Sequence, residues 1–142
     1  MLLYFRTITE GVNNMNRSEQ LIEQAKEARE HAYVPFSKFK VGAAVRTQSG
    51  NVYFGCNIEN SSFPLTCCAE RTAIFKAVSQ GEREFTDIAV IADTEDVVSP
   101  CGACRQVMAE FFTDEVGIYL SNLNGAVKRT TLEEILPNYF KL

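Results

Sequence analysis

Hydrophobic positions along the chain change period several times, and each change marks an element. Leu21, Ile22, Ala25, Ala28 and Ala32 form one helical stripe, opened by Asn16 with Glu19 three residues later in capping-box spacing. Residues 33–40 carry Pro35 and Ser37 and read as a loop. Residues 41–46 and 52–56 are β-type runs on either side of Gln48-Ser49-Gly50-Asn51, the pattern of a hairpin. The polar stretch 57–66, interrupted by Pro64, leads into a helix carrying Ala69, Ala73, Ile74, Ala77 and Val78, and Gly81 stands where a helix C-terminus needs it. Residues 88–92 are a continuous apolar run, which predicts a strand buried on both faces. Gly102 opens a third helix with Val107, Met108, Phe111 and Phe112. A strand over 116–121, a turn over 122–125, a short edge strand over 126–128 and a last helix over 131–136, stopped by Pro137, complete the chain.

The order helix, two strands, helix, strand, helix, strand, short strand, helix predicts a three-layer α/β/α domain, with a mixed five-stranded sheet flanked by helices. Residues 1–14 show no sustained period, and Met15 directly precedes the first helix. We therefore expect a poorly anchored extension over 1–14, Met15 as the natural start, and a single catalytic domain over 15–142.

At 142 residues the chain suits one domain that buries about two-thirds of its unfolded surface. A net charge of −4 and a pI near 5.1 leave no electrostatic footprint for a polyanion, so a small substrate is favoured over nucleic acid. Five cysteines, two of them adjacent, read as reduced thiols and metal ligands in a cytoplasmic protein. The opening Met1-Leu2-Leu3-Tyr4-Phe5 is too short for the apolar core of a signal peptide, and no run approaches membrane-spanning length, so no membrane partner is expected.

The densest chemistry lies in Cys68-Ala69-Glu70 and Pro100-Cys101-Gly102-Ala103-Cys104. Both motifs fall at predicted helix N-termini, where free N–H groups and the helix dipole favour thiolate. Cys101 and Cys104 are three apart, on one side of a first turn, and Cys68 completes a trio from the other helix. Three protein ligands leave the fourth position of a zinc ion open, as catalytic sites require, and C-x-E with P-C-x-x-C is the signature of zinc-dependent base deaminases. Glu70 is then the proton carrier. Three thiolates on one divalent ion carry a formal charge of −1, which Arg71 can offset by hydrogen bonds to the sulfurs, with Arg105 or Gln106 assisting.

Together with Asn57-Ile58-Glu59-Asn60 and the run continuing into Arg105-Gln106, these motifs resemble the cytidine deaminases of the small homotetrameric type, from about Asn16 to Phe140. The resemblance implies a cytidine deaminase-like fold and hydrolysis of cytidine and 2′-deoxycytidine to uridine and 2′-deoxyuridine with release of ammonia, in pyrimidine salvage. It implies one zinc per subunit on Cys68, Cys101 and Cys104. It assigns to Glu70 the proton taken from water, delivered to ring N3 and used in ammonia departure. It further implies that Asn57 and Glu59 hold the ribose 3′-hydroxyl, that Phe39 packs on the pyrimidine, that the Ala69 backbone reads the base, and that Phe140 stacks at a neighbouring subunit's site. Phe63 stands where related sequences often carry tyrosine, and it has no hydroxyl to offer the sugar.

Plainer readings stand beside these. The trio could be a structural zinc site closed by Cys67, Cys56 or His31. Glu70 could be a first-turn carboxylate held by the dipole, and Asn57, Glu59 and Asn60 turn residues. Phe39 and Phe140, judged alone, could be core. Cys67 competes with Cys68 as ligand, although only Cys68 has the C-x-E spacing to Glu70. Other functions open to the chain are deamination of an aminonucleoside antibiotic of the blasticidin type, editing of a polynucleotide, and a non-catalytic zinc module.

Overall fold

The computed structural model describes residues 16–142; the expected extension over 1–14 and the start at Met15 lie outside the described residues. Helix α1 (Arg17–Arg29) opens with the expected capping box: Asn16 accepts from the Glu19 N–H, and the Glu19 carboxylate accepts from the Asn16 N–H. Strands β1 (Val41–Thr47) and β2 (Val52–Cys56) form the hairpin, in antiparallel register with Arg46 opposite Val52. A 3₁₀ turn at Phe63–Leu65 carries Pro64 near its start and precedes α2 (Ala69–Ser79). Then come β3 (Phe85–Ala92), α3 (Gly102–Phe111), β4 (Gly117–Asn122), β5 (Val127–Thr130) and the single-turn α4 (Leu132–Ile135).

The five strands lie in the order β2-β1-β3-β4-β5, with β3 and β4 parallel and the other pairs antiparallel. Side-chain alternation sends Ala43, Val45, Ile88 and Val90 to one face, where they pack on Ala73, Ile74 and Ala77 of α2, Met108 of α3 and Leu132 of α4. Ala44, Ala89 and Ile91 face the other way, onto Leu21 and Ala25 of α1. The small residues of this second face let α1 lie very close. A Cβ on Gly42 would come within 2.0 Å of the Ala25 carbonyl oxygen. Gly55 does the same for α2: a Cβ there would meet the Ala69 carbonyl oxygen at 2.4 Å, so this glycine sets the depth of the helix end that carries Cys68 and Glu70.

β3 starts three residues earlier than its apolar run. Asp87 pairs with Arg46 of β1 through a buried ion pair of 2.7 Å, and Arg46 also donates to the Arg17 carbonyl at 3.1 Å, locking α1 to the sheet. Such a pair leaves no hydrophobic signature, so the run alone understates the strand. Among the described residues no helix is long and apolar enough to cross a membrane.

Candidate active site and metal centre

Two helix starts face each other at one end of the sheet. Cys68 is the N-cap of α2 and Cys101 the N-cap of α3, where its sulfur accepts the Cys104 N–H at 3.5 Å. Cys68 Sγ and Cys101 Sγ are 3.7 Å apart, Cys101 and Cys104 are 3.4 Å apart, and all three sulfurs lie within 4.8 Å of one another. Zinc–sulfur bonds of about 2.3 Å in a tetrahedron require sulfurs about 3.8 Å apart, so the trio fits one zinc with little adjustment. Cys67, Cys56 and His31 do not join this group. Cys67 accepts instead from the Thr72 hydroxyl at 3.6 Å, while Cys56 and His31 line a separate apolar groove with Phe54 and Ile58. The donor set is thus three thiolates with no fourth protein ligand among the described residues, which suits an open zinc site.

The local electrostatics split the sulfurs, favouring thiolate at Cys68 and thiol at Cys104. Cys68 is drawn down to about 5, chiefly by the hydrogen bond it shares with Cys104, and Arg71 adds to the effect while burial opposes it. Cys104 is pushed up by the same pairing with Cys68 and by burial, so binding a divalent ion there would require it to give up its proton. Arg71 donates from Nη2 to Cys68 Sγ at 3.3 Å, and its Nε is buried with no other partner, leaving a donor in reserve beside the sulfurs.

Glu70, the second residue of α2, is 4 % exposed. Burial pushes its carboxyl up to about 7; its own backbone N–H opposes the shift and the Cys68 charge adds to it. A carboxyl poised there can both take and give a proton near neutrality.

One short ladder positions two of the remaining expected residues. Ile58 exchanges two backbone hydrogen bonds of 2.9 Å with Cys67, which sets Asn57 and Glu59 beside the segment leading into Cys68. The Asn57 side chain accepts from the Val41 N–H at 2.9 Å and donates to the Phe39 carbonyl at 2.7 Å, tying the Phe39 loop to β1. Ala69 is fully buried in the first turn of α2, where backbone N–H groups have no intrahelical acceptor. Phe39 and Phe140 are both exposed, and so are not core.

Gln106 is placed differently from the expectation. Its side chain donates to the Phe140 carbonyl at 2.9 Å instead of approaching the sulfurs, because two residues beyond Cys104 turn it about 200° around α3. Arg105 likewise holds backbone, donating to the Pro100 carbonyl at 2.8 Å, the Ile135 carbonyl at 2.6 Å and the Ser99 hydroxyl at 2.7 Å. It braces the approach to Cys101 against α4. Ser37, which binds the Glu59 carboxylate, was legible only as a loop residue, since its partner is 22 positions away.

A family model of the cytidine and deoxycytidylate deaminase zinc-binding region matches residues 15–120. A cytidine deaminase of Sporosarcina psychrophila is 58 % identical over 122 residues, covering 86 % of this chain and 90 % of that protein. The crystal structure of cytidine deaminase from Burkholderia pseudomallei superposes with a TM-score of 0.85 at 49 % identity, covering 89 % of this chain and 100 % of the other. A blasticidin-S deaminase of Bacillus cereus is 35 % identical over 136 residues, covering 89 % and 96 %.

Proposed function

The chain belongs to the cytidine and deoxycytidylate deaminase family, and from that premise we propose that it hydrolyses cytidine and 2′-deoxycytidine to uridine and 2′-deoxyuridine, releasing ammonia. The observation that carries this reading is a buried carboxyl, Glu70, raised to about 7 and standing two residues from one of three convergent sulfurs. Cys68, Cys101 and Cys104 would hold the zinc ion, which would supply Lewis acidity that eases deprotonation of water near neutral pH. Glu70 takes one proton from the attacking water and gives it to ring N3, then takes the remaining proton from the hydroxyl added at C4 and gives it to the amine; the C4–N bond breaks as the C4 carbonyl forms, ammonia leaves and the carboxylate is regenerated. Arg71 offsets the excess negative charge of the thiolates. Phe39 covers the pyrimidine, the Ala69 backbone reads its polar edge, and Asn57 and Glu59 hold the 3′-hydroxyl. An amide that donates and accepts, beside a carboxylate that only accepts, suits a sugar hydroxyl.

The assembly is a homotetramer with shared active sites, in which Phe140 stacks at a neighbouring subunit's site and Gln106 anchors the tail that carries it. In support, the exposed rings of Phe36 and Phe63 pack edge to face with centroids 6.3 Å apart, a contiguous apolar surface of the kind that marks interaction sites. The enzyme works in the cytoplasm, in pyrimidine salvage, where five unpaired thiols are at home.

The likeness to a blasticidin-S deaminase keeps one second reading in view. Ultraviolet assays with cytidine, 2′-deoxycytidine and the antibiotic side by side separate the two. We expect turnover of both nucleosides, abolished by a zinc chelator and restored by added zinc. Turnover of the antibiotic with neither nucleoside consumed would replace the first reading by the second.

A further inference from the structure

The loop 36–39 carries a device that the family assignment does not account for. Glu59 accepts three hydrogen bonds from it: the Phe36 N–H and the Ser37 N–H each reach Oε1 at 3.0 Å, and the Ser37 hydroxyl makes a short bond to Oε2. A carboxylate offers about four lone-pair sites, so the loop leaves about one of them free and fixes its direction. The Ser37 oxygen in turn accepts the Phe39 N–H at 3.0 Å. Because that side of the oxygen is occupied, its single proton is aimed at Glu59. Lys38 lies between, with φ of 61°, a left-handed conformation that a lysine adopts only when its surroundings hold it there. The holding contacts are the Lys38 N–H to the Val34 carbonyl, at 3.1 Å, and the Ser37 hydroxyl bridge.

We propose that Ser37 is a positioning residue for substrate recognition: its hydroxyl, oriented by the Phe39 N–H, aims the remaining lone pair of Glu59 at the 3′-hydroxyl of the nucleoside. The inference rests on the reading that Glu59 meets the sugar. In keeping with it, the Ser37 hydroxyl is the foremost of the groups that hold the Glu59 carboxyl below its usual range. The groove lined by Phe36, Ser37, Glu59, Phe63 and Thr66 leaves the carboxylate within reach of a ligand.

The test compares cytidine with 3′-deoxycytidine as substrates of zinc-loaded wild type, Ser37→Ala, Ser37→Thr and Glu59→Gln, with thermal melting run on each. Ser37→Ala is expected to lower kcat/KM for cytidine roughly tenfold, through KM and not kcat, and to change 3′-deoxycytidine by less than about twofold, since the hydroxyl in question is absent there. Ser37→Thr keeps the donor and restores the cytidine KM. A purely structural turn residue would shift the melting temperature and affect both substrates alike, and that result overturns the proposal. Glu59→Gln tests the underlying reading separately: equal losses on both substrates mean that Glu59 does not meet the 3′-hydroxyl, whereas discrimination by Glu59→Gln without discrimination by Ser37→Ala defeats the Ser37 assignment alone. If Ser37→Ala does not fold, Ser37→Cys, a near-isostere with a weak donor, is held to the same criterion.

Discussion

Glu70 shows how much one side chain depends on its address. On an exposed helix surface it would be an ordinary first-turn carboxylate; buried beside Cys68 and Arg71 its carboxyl is driven up to about 7. Glu70→Gln keeps the shape and removes the proposed proton carrier, so kcat should fall by about 10² to 10⁴ while bound zinc, measured by metal analysis, stays near one per chain. Loss of zinc together with activity would instead assign the residue a part in holding the site. The C-x-E spacing to Cys68 made this residue legible from sequence. Its burial was not, because nothing local says that α2 presses against β2 at Gly55 closely enough to exclude water.

Elements carry the next layer of cause. The hairpin and the end of α2 are joined by Glu82, whose carboxylate accepts from the Ser49 hydroxyl at 2.8 Å, the Asn51 amide at 3.2 Å and the Tyr53 hydroxyl at 3.3 Å. These donors, Ser49 foremost, hold its carboxyl below the ordinary 4.5. A folded-state value below the unfolded one means stability that is present above about pH 4.5 and lost as pH falls through the folded value. Thermal melts from pH 7 to pH 3 should therefore show a shallower acid-side decline for Glu82→Gln than for wild type, with the two curves parallel above pH 5.5. Identical slopes would show that the clamp contributes nothing measurable. Helix starts, the hairpin turn and the Gly81 stop could be read in advance because each depends on residues within four positions. The Glu82 clamp, the Arg46–Asp87 pair and the early start of β3 could not, since they join residues 29 to 41 apart.

For the whole molecule the decisive question is whether, as proposed, the surface of one subunit completes the site of another. Phe140 is exposed, and its carbonyl is fixed on α3 by Gln106, two residues beyond Cys104, so the tail is held while its ring stays open. If the proposed tetramer shares its sites in this way, light scattering gives a tetramer mass for wild type, and Phe140→Ala should raise KM for cytidine by about tenfold with that mass unchanged. A fall in mass with KM unaltered would make the ring an interface residue only. By itself the sequence determined the order of elements, the sulfur trio and the acid beside it, because periodicity and short spacings encode what neighbours along the chain do. The tertiary structure alone decided that Gln106 turns to the tail, that Ser37 grips Glu59, and that Cys67, Cys56 and His31 stay clear of the sulfurs. Those outcomes follow from strand order and close helix packing, which bring distant residues within bonding distance and leave no trace in any local pattern.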